Sequence, residues 1–262
     1  MIKIGKNFLN ILYALILREI NLKFNRGYLS YLWIIFEPII HLVVLLLIFT
    51  IFRATTITSI NITIFIISGL IPWFIFQRGF GESIGAYNSG KALSNYRQIS
   101  YLYVLISKIF LNFIIYLMTF FIMLTILSLI GIEFYIYNLI NMIISLVLLF
   151  FLTTSVSLIA FIISFYFPDF AKLKEFMIRP LYLASGIFFT YNSVPYEYKE
   201  YFLLNPIFQL IELTRYSFIQ YEIPDFISIA YILKFILTTF SLGIGLYFIN
   251  REKLIRNDLA RE

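Results

Sequence analysis

The sequence predicts an all-α integral membrane protein, and two observations lead to this fold class. Of its 262 residues, 61% are hydrophobic and 13% are charged, whereas about a quarter of a soluble domain is charged. The apolar segments are long and continuous, without the alternation that strands of a membrane barrel show. We predict one transmembrane domain over residues 1–262, with six transmembrane helices, an N-terminal amphipathic interface helix and two short re-entrant or periplasmic helices before the last span.

Residues 6–26 are predicted to form the interface helix. Apolar residues recur at helical spacing from Phe8 to Leu22, and basic and amide side chains fall largely on the other face. A helix with this pattern lies in the plane of the membrane interface. It is either an anchor with a basic end or a surface that contacts a cytoplasmic partner.

The first span, residues 28–53, contains three residues that a plain anchor would not carry, which are Glu37, Pro38 and His41. Pro38 cannot donate a backbone hydrogen bond, so a kink is expected. Glu37 and His41 are four residues apart and share a helix face, which should point into protein and not into lipid. Two interpretations stay open: a structural kink with Glu37 protonated or paired to another helix, or a direct role in a path through the membrane.

Four further apolar segments predict spans at residues 62–78, 99–130, 136–167 and 172–192. A polar stretch rich in Gly, Ser and Asn follows the first of these four. Within it, residues 82–96 predict a short cytoplasmic helix.

Residues 191–225 are too polar to span a membrane and too apolar to form a loop. Three prolines divide this region, so we predict short outer-face helices within residues 196–222. Non-helical breaks at membrane depth persist only inside protein or beside a water-filled cavity. The last span is then predicted at residues 226–249.

One outer-face helix has clear start signals. Asn205 can cap its N-terminus, with Pro206 at the first helical position. Glu212 and Arg215 are three residues apart, so they face each other on that helix and can pair. We expect this pair to be partly desolvated at the edge of the hydrocarbon.

The distribution of basic residues sets the expected topology. Sixteen of the 20 Lys and Arg residues lie at the N-terminus, after the second or fourth span, or in the C-terminal tail. The opposite side carries Arg53, Lys199 and Arg215, and Lys234 lies within a span. The positive-inside rule therefore places both termini in the cytoplasm. The net charge of +6 is thus a topology signal, and we expect no nucleic-acid partner.

Several chemistries are excluded by composition. The chain has no cysteine and one histidine, so thiolate sites, disulfides and multi-histidine metal cages are excluded. Residues 85–92, GAYNSGKA, nearly match a nucleotide-binding P-loop. However, Ala92 replaces the magnesium-binding hydroxyl, and no strand precedes the motif. We expect no catalytic residue, no bound cofactor or metal, and no ATPase activity on this chain.

Four groups of residues occur along the chain in an order typical of one family. They are Leu17-Arg18-Glu19 with Tyr31-Leu32-Trp33 and Glu37-Pro38, then Gly69-Leu70-Ile71-Pro72-Trp73, then Leu93-Ser94-Asn95-Tyr96, and finally Leu204-Asn205-Pro206 with Glu212 and Arg215. Together they resemble the permease subunits of type-2 ABC exporters for polysaccharides, over essentially the whole chain. His41 after Glu37-Pro38 is more similar to capsular-polysaccharide exporters than to O-antigen or teichoic-acid exporters. Gln209, Lys108 and Asn112 depart from the family's pattern.

The resemblance implies the membrane-spanning subunit of an exporter that moves a lipid-linked polysaccharide across the bacterial inner membrane. The implied partners are a second copy of the chain, two ATP-binding subunits that hold ATP and magnesium, the lipid-linked glycan, membrane lipid and periplasmic export proteins. Capsular polysaccharide is favoured as the cargo, with O-antigen or teichoic acid as the alternatives.

Motifs and resemblance together assign three sets of candidate residues. Coupling to the ATP-binding subunits is assigned to Arg18, Glu19, Ser83, Tyr87, Lys91, Asn95 and Tyr96. The substrate path is assigned to Tyr31, Trp33, Glu37, His41, Phe188 and Tyr191. The outer gate is assigned to Asn205, Pro206, Glu212 and Arg215.

Two other classes of protein were weighed against this interpretation. A secondary transporter would show inverted repeats with paired broken helices, and residues 28–130 and 135–250 share no convincing repeat. A membrane-embedded transferase would need clustered acids or a second histidine. The outer-face acids are the only candidates, and their solvation explains them more simply.

Overall fold

The computed structural model describes residues 2–24, 29–51, 61–91, 93 and 100–259, and the side chains of residues 9–23, 36–51, 61–91, 93 and 100–254. These residues form helices joined by turns, which confirms the predicted all-α class. The α-helices are α1 (Ile2–Phe24), α2 (Leu29–Ile51), α3 (Ile62–Lys91), α4 (Tyr101–Leu129), α5 (Leu139–Tyr166), α6 (Phe170–Ala184), α7 (Lys199–Leu203), α8 (Pro206–Tyr216) and α9 (Ile229–Leu259). Two 3₁₀ turns, Tyr191–Ser193 and Tyr196–Tyr198, lie between α6 and α7.

Four of these helices are long and apolar enough to cross a membrane, which are α3, α4, α5 and α9 over Ile229–Leu254. Within α2, Phe36–Ile51 is a shorter apolar helix. The structure therefore confirms a membrane protein with several apolar helices.

Helix α3 lies at the centre of the molecule. Its residues from Thr63 to Phe76 are buried without interruption, because α3 packs against α2, α4, α5, α6 and α8. Two further helices pack on these neighbours of α3. Helix α9 packs against α5, and α1 packs against α4. The charged and aromatic groups described below are positioned by α3 and its neighbours.

Helix α3 is longer than predicted. The predicted span 62–78 and most of the predicted helix 82–96 form one continuous helix that ends at Lys91. Glycine is a weak helix former, and Gly79 was expected to lie in a break. Instead, a Cβ at Gly79 would lie 2.6 Å from Cγ2 of Thr153, so this glycine allows α3 to approach α5 closely within the helix.

Helix α6 is shorter than the span predicted at residues 172–192. It has 15 residues and ends at Ala184, which is about 22 Å at 1.5 Å per residue. Gly186 follows with a φ of +75°, a conformation that favours glycine. A Cβ at Gly186 would also lie 2.6 Å from Cδ2 of Phe208, so the chain turns here against α8.

The short helices α7 and α8 occupy the region predicted at residues 196–222. The predicted cap is present, because the Asn205 side chain accepts a hydrogen bond from the Ile207 N–H at 3.0 Å, with Pro206 in the first turn. The other end of α8 continues into a turn whose Ser217 carbonyl accepts from the N–H groups of Tyr137 and Asn138. These bonds join α8 to the start of α5.

Candidate functional site

A groove runs between α3 and α6, and we call it the α3–α6 groove. It has a volume of about 490 Å³ and is lined by Gln77, Arg78, Gly81, Glu82, Lys174, Glu175, Ile178 and Arg179. Arg78 forms an ion pair with Glu37 of α2, and the Tyr116 hydroxyl lies 3.5 Å from the same carboxylate. Glu37 is therefore paired to another helix, and this pairing occurs at the groove.

An aromatic pocket of about 300 Å³ adjoins the groove, and we call it the His41 pocket. The two share Gln77, Ile178 and Arg179 as lining residues. The Tyr182 hydroxyl lies 3.2 Å from Nε2 of His41, and the Tyr182 ring contacts the rings of Trp73 and Phe188 at centroid distances of 5.4 and 5.1 Å. The structure thus brings together the predicted path residues His41 and Phe188 through Tyr182.

The remaining path residues are placed differently. Tyr191 stacks on Phe226 at a centroid distance of 4.0 Å, with the Lys199 ammonium 4.6 Å from its ring. It therefore belongs to an aromatic cluster with Phe226 and not to the His41 pocket. The side chains of Tyr31 and Trp33 lie outside the described residues.

A second polar site joins α1 to α3 and α4, and we call it the Glu82 network. The Lys108 ammonium lies 2.9 Å from Oε2 of Glu19 and 3.4 Å from Oε2 of Glu82. The Lys23 ammonium lies 3.4 Å from the other Glu82 oxygen and donates to Oδ1 of Asn112 at 2.7 Å. Burial lowers the pKa of Lys23, and the charge of Glu82 opposes that shift. Ion pairs therefore join α1 to α3 and α4.

The predicted coupling residues divide between buried and surface positions. Glu19 is buried in the Glu82 network and pairs with Arg18 at 3.2 Å. Ser83 is buried completely and donates to the Phe80 carbonyl at 2.6 Å, so it serves α3 itself. Tyr87 stacks on Tyr101 at 5.5 Å. Lys91 is half-buried at the end of α3, and Asn95 and Tyr96 lie outside the described residues.

The predicted outer pair forms, but it is buried completely. Glu212 and Arg215 form an ion pair with 0% exposure of both side chains. Arg215 also donates to the carbonyls of Gly186 at 2.8 Å and Phe189 at 3.2 Å, and Glu212 accepts from the Tyr191 N–H at 3.2 Å. Burial raises the pKa of the Glu212 carboxyl, and the charge of Arg215 opposes this effect. The pair therefore fixes residues 186–191 on α8.

Sequence reasoning missed several residues of these sites. Arg78, Glu82 and Tyr182 bridge helices, yet in the sequence Arg78 ends one predicted span, Glu82 lies in the polar stretch after it, and Tyr182 lies inside another predicted span. Charged residues within or beside spans usually have protein partners, and this was the available signal for Arg78 and Glu82. No local pattern could have identified their partners, which lie on other helices and are 26 to 141 residues away along the chain.

Over the described residues, a helical fold with four apolar helices long enough to cross a membrane, and with α1 tied to two of them by ion pairs, is that of an integral membrane protein. No family model matches the chain. It is 33% identical over 242 residues to the polysialic acid transport protein KpsM of Escherichia coli, covering 92% of this chain and 94% of that protein. The chain therefore belongs to the family of inner-membrane permeases of capsular polysaccharide ABC exporters.

Two further relatives are also export proteins, one for capsule polysaccharide and one for O-antigen. The capsule polysaccharide export inner-membrane protein CtrC of Neisseria meningitidis serogroup B is 25% identical over 222 residues, covering 82% of this chain and 83% of that protein. The O-antigen export system permease protein RfbA of Myxococcus xanthus is 29% identical over 83 residues, covering 32% of this chain and 31% of that protein. The family that the sequence motifs predicted is therefore confirmed.

Proposed function

We propose that this chain is the membrane-spanning subunit of an ATP-driven exporter that moves a lipid-linked capsular polysaccharide across the bacterial inner membrane. The observation that carries the proposal is the 33% identity over 92% of the chain to a polysialic acid transport protein. The α3–α6 groove and the His41 pocket support it, because together they place cationic and aromatic groups beside two of the proposed spans.

The proposed topology has six spans with both termini in the cytoplasm. The four long apolar helices and the apolar part of α2 support five of these spans. Helix α6 and the residues after it would complete the sixth in the assembled transporter. The positive-inside distribution of Lys and Arg supports the orientation.

The proposed transporter contains two copies of this chain. Exposed apolar side chains lie on α2 and on α6, and they would be covered by lipid or by the second copy. On α2 they include Phe36, Ile40, Val43, Val44 and Leu47, and on α6 Leu173, Phe176, Met177 and Leu183. A path between the copies would then have Glu37 and His41 beside it.

Two ATP-binding subunits are proposed to dock under α1 and the cytoplasmic end of α3, and to hold ATP and magnesium. The Glu82 network supports this position, because it connects α1 to both α3 and α4. If a docked subunit moved α1, the ion pairs of Lys23 and Lys108 would transmit that movement to α3 and α4. Periplasmic export proteins would receive the polymer on the outer side.

Export of O-antigen or teichoic acid is the nearest alternative. The match to the O-antigen permease RfbA favours it, but over only 32% of this chain. The matches to capsule export proteins cover 82% and more, so capsular polysaccharide is the better supported cargo.

Co-purification tests the proposal against the other classes. A tagged chain expressed in a capsule-producing host with its neighbouring genes should retain an ATP-binding subunit, and should restore surface polysaccharide to a strain lacking its own permease. The isolated chain should hydrolyse no ATP, and Lys91→Ala should leave nucleotide binding by the assembled transporter intact. ATP binding by the isolated chain that is lost in Lys91→Ala, or transport without any ATPase, would contradict the proposal.

A further inference from the structure

The α3–α6 groove contains a cation with no acidic partner among the described side chains. The Lys174 ammonium is directed from α6 across the groove, and it lies 3.7 Å from where a Cβ on Gly81 would be. The ammonium therefore lies beside the backbone of α3 at Gly81. Lys174 is only half-buried, so its charge is open to a ligand in the groove.

The acids around the groove are already paired. Glu82 faces Lys23 and Lys108 on its other side, and Glu37 is paired with Arg78. Glu175 lies 3.9 Å from Arg179 on an exposed part of α6, where an ion pair contributes little. The charges of Glu175 and Arg179 offset each other, so Lys174 provides the positive charge that a ligand could neutralise. The exposed guanidinium of Arg179 can still donate hydrogen bonds to the same ligand.

The groove continues into the His41 pocket, which supplies a different chemistry. Arg179, Gln77 and Ile178 belong to both, so a bound molecule could contact cation and ring at once. Trp73 is 1% exposed and forms the floor, whereas Tyr182 is half-buried and presents part of its ring. Gln77 is held there by a 3.0 Å bond from the Trp73 indole N–H. Each volume is within the roughly 300–1,000 Å³ range typical of small-ligand sites.

We propose that the α3–α6 groove binds an anionic saccharide unit of the exported glycan. Lys174 and Arg179 bind its carboxylate or phosphate, and Tyr182 packs against the adjoining sugar ring. This inference rests on the proposed function and names the substrate class that the groove accepts. A phospholipid headgroup could neutralise the two cations, but it has no sugar ring to place against Tyr182, so the saccharide is the better fit.

A binding experiment tests the groove directly. The transporter with its ATP-binding subunits is placed in phosphatidylcholine nanodiscs and titrated with a sialic acid oligomer, and in parallel with a neutral glucose oligomer. We expect Lys174→Gln to weaken binding of the acidic oligomer about tenfold, since a hydrogen bond to a charged group is lost in a partly hydrated groove. Binding of the neutral oligomer should stay weak and unchanged.

The matched control is Lys172→Gln. Lys172 lies on the same helix two residues earlier, is 83% exposed and is paired with Asp169, so its loss should leave binding unchanged. Thermal unfolding of both variants checks that neither result reflects misfolding. Nanodiscs containing phosphatidylglycerol separate saccharide from lipid. Phosphatidylglycerol could compete with the oligomer for the wild-type groove. If it abolishes oligomer binding, and Lys174→Gln abolishes this competition without weakening oligomer binding itself, the groove binds lipid headgroups and the inference is wrong.

Export in cells separates failure of this inference from failure of the proposed function. If the wild-type chain restores no surface polysaccharide, the proposed function fails, whatever the groove binds. If the wild type restores export, Lys174→Gln should reduce surface polysaccharide several-fold at equal protein level, while Lys172→Gln should not. Normal export and normal oligomer binding by Lys174→Gln would overturn the inference alone.

Discussion

The guanidinium of Arg215 joins three parts of the molecule. It donates to two carbonyls after α6, pairs with Glu212 on α8, and lies 4.0 Å from the centre of the Phe65 ring on α3. A Cβ at Gly69 would approach its Nη2 to 2.9 Å, so a glycine on α3 makes room for it. Nε has no hydrogen-bond partner among the described atoms. The pair therefore acts as a structural connection as well as a candidate gate.

Removing one member of this pair should destabilise the protein. Arg215→Ala or Glu212→Ala leaves the other charge buried without its partner, which costs about 3–5 kcal/mol. Unfolding of the detergent-solubilised variants should therefore occur at lower temperature, with less protein in the membrane. Replacing both together by Met and Leu should cost less than either single change.

Glu175→Ala is the matched control, because its pair with Arg179 is exposed. Exchanging the positions of Glu212 and Arg215 should not restore stability, since a carboxylate would then face the carbonyls of Gly186 and Phe189. Wild-type stability in either single variant would show that the pair contributes nothing to the fold.

At the scale of elements, the described side chains of α1 contact neighbouring segments in an apolar cluster and in a set of ion pairs. Leu15 lies in a small buried cluster with Leu93 and Val104 of neighbouring segments, and the Glu82 network lies further along the helix. Lys108 is central to the network, with 11% of its side chain exposed and a carboxylate on either side. A helix held by one small apolar cluster and one set of ion pairs should depend strongly on each.

Lys108→Ala should loosen α1. It leaves Glu19 with only Arg18, and removing a hydrogen bond to a partly buried charged group costs about 1–3 kcal/mol. Cysteines introduced at Leu15 and Val104 should be joined by a short cross-linker in the wild-type background, which has no native cysteine, and less efficiently with Lys108→Ala. Polysaccharide export should fall in parallel.

Lys108→Arg keeps the charge and should retain most of the cross-linking. Lys172→Ala removes an exposed ion pair on another helix and should leave the cross-linking efficiency unchanged. Full cross-linking and export with Lys108→Ala would show that the network does not hold α1.

For the whole molecule, the types of exposed side chain differ between the two predicted membrane faces. The region between α6 and α9 carries exposed tyrosines, among them Tyr196 at 89% and Tyr201 at 70% exposure, and aromatic residues of this kind are common at membrane interfaces. Most Lys and Arg residues lie on the predicted cytoplasmic side. This asymmetry leads to a testable orientation.

Single cysteines at Tyr196 and Glu252 should report that orientation. Both positions are exposed, and the chain contains no other cysteine. In intact spheroplasts an impermeant maleimide should label the cysteine at position 196 but not the one at position 252. After the membrane is permeabilised, both should react. Labelling at position 252 before permeabilisation would place the C-terminus outside and reverse the topology.

The fold class and family were accessible from sequence because both depend on local patterns. Hydropathy and segment length identified the apolar helices, the Asn205 cap followed from the residues around it, and the Glu212–Arg215 pair followed from helical spacing. Helix boundaries were less accurate. Gly79 permits close packing inside α3, and Gly186 ends α6 against Phe208, and both effects depend on a neighbouring helix.

The sequence by itself thus determined the class of protein, its apolar helices and the pairing of side chains one helical turn apart, such as Glu212 and Arg215. Only the tertiary structure decided which polar side chains meet across helices: Glu37 with Arg78, Lys108 with Glu19 and Glu82, and His41 with Tyr182. It also decided that the Glu212–Arg215 pair is buried completely. The physical reason is that periodicity fixes which face of a helix a residue occupies, whereas its partner and its exposure depend on the helix that packs against that face.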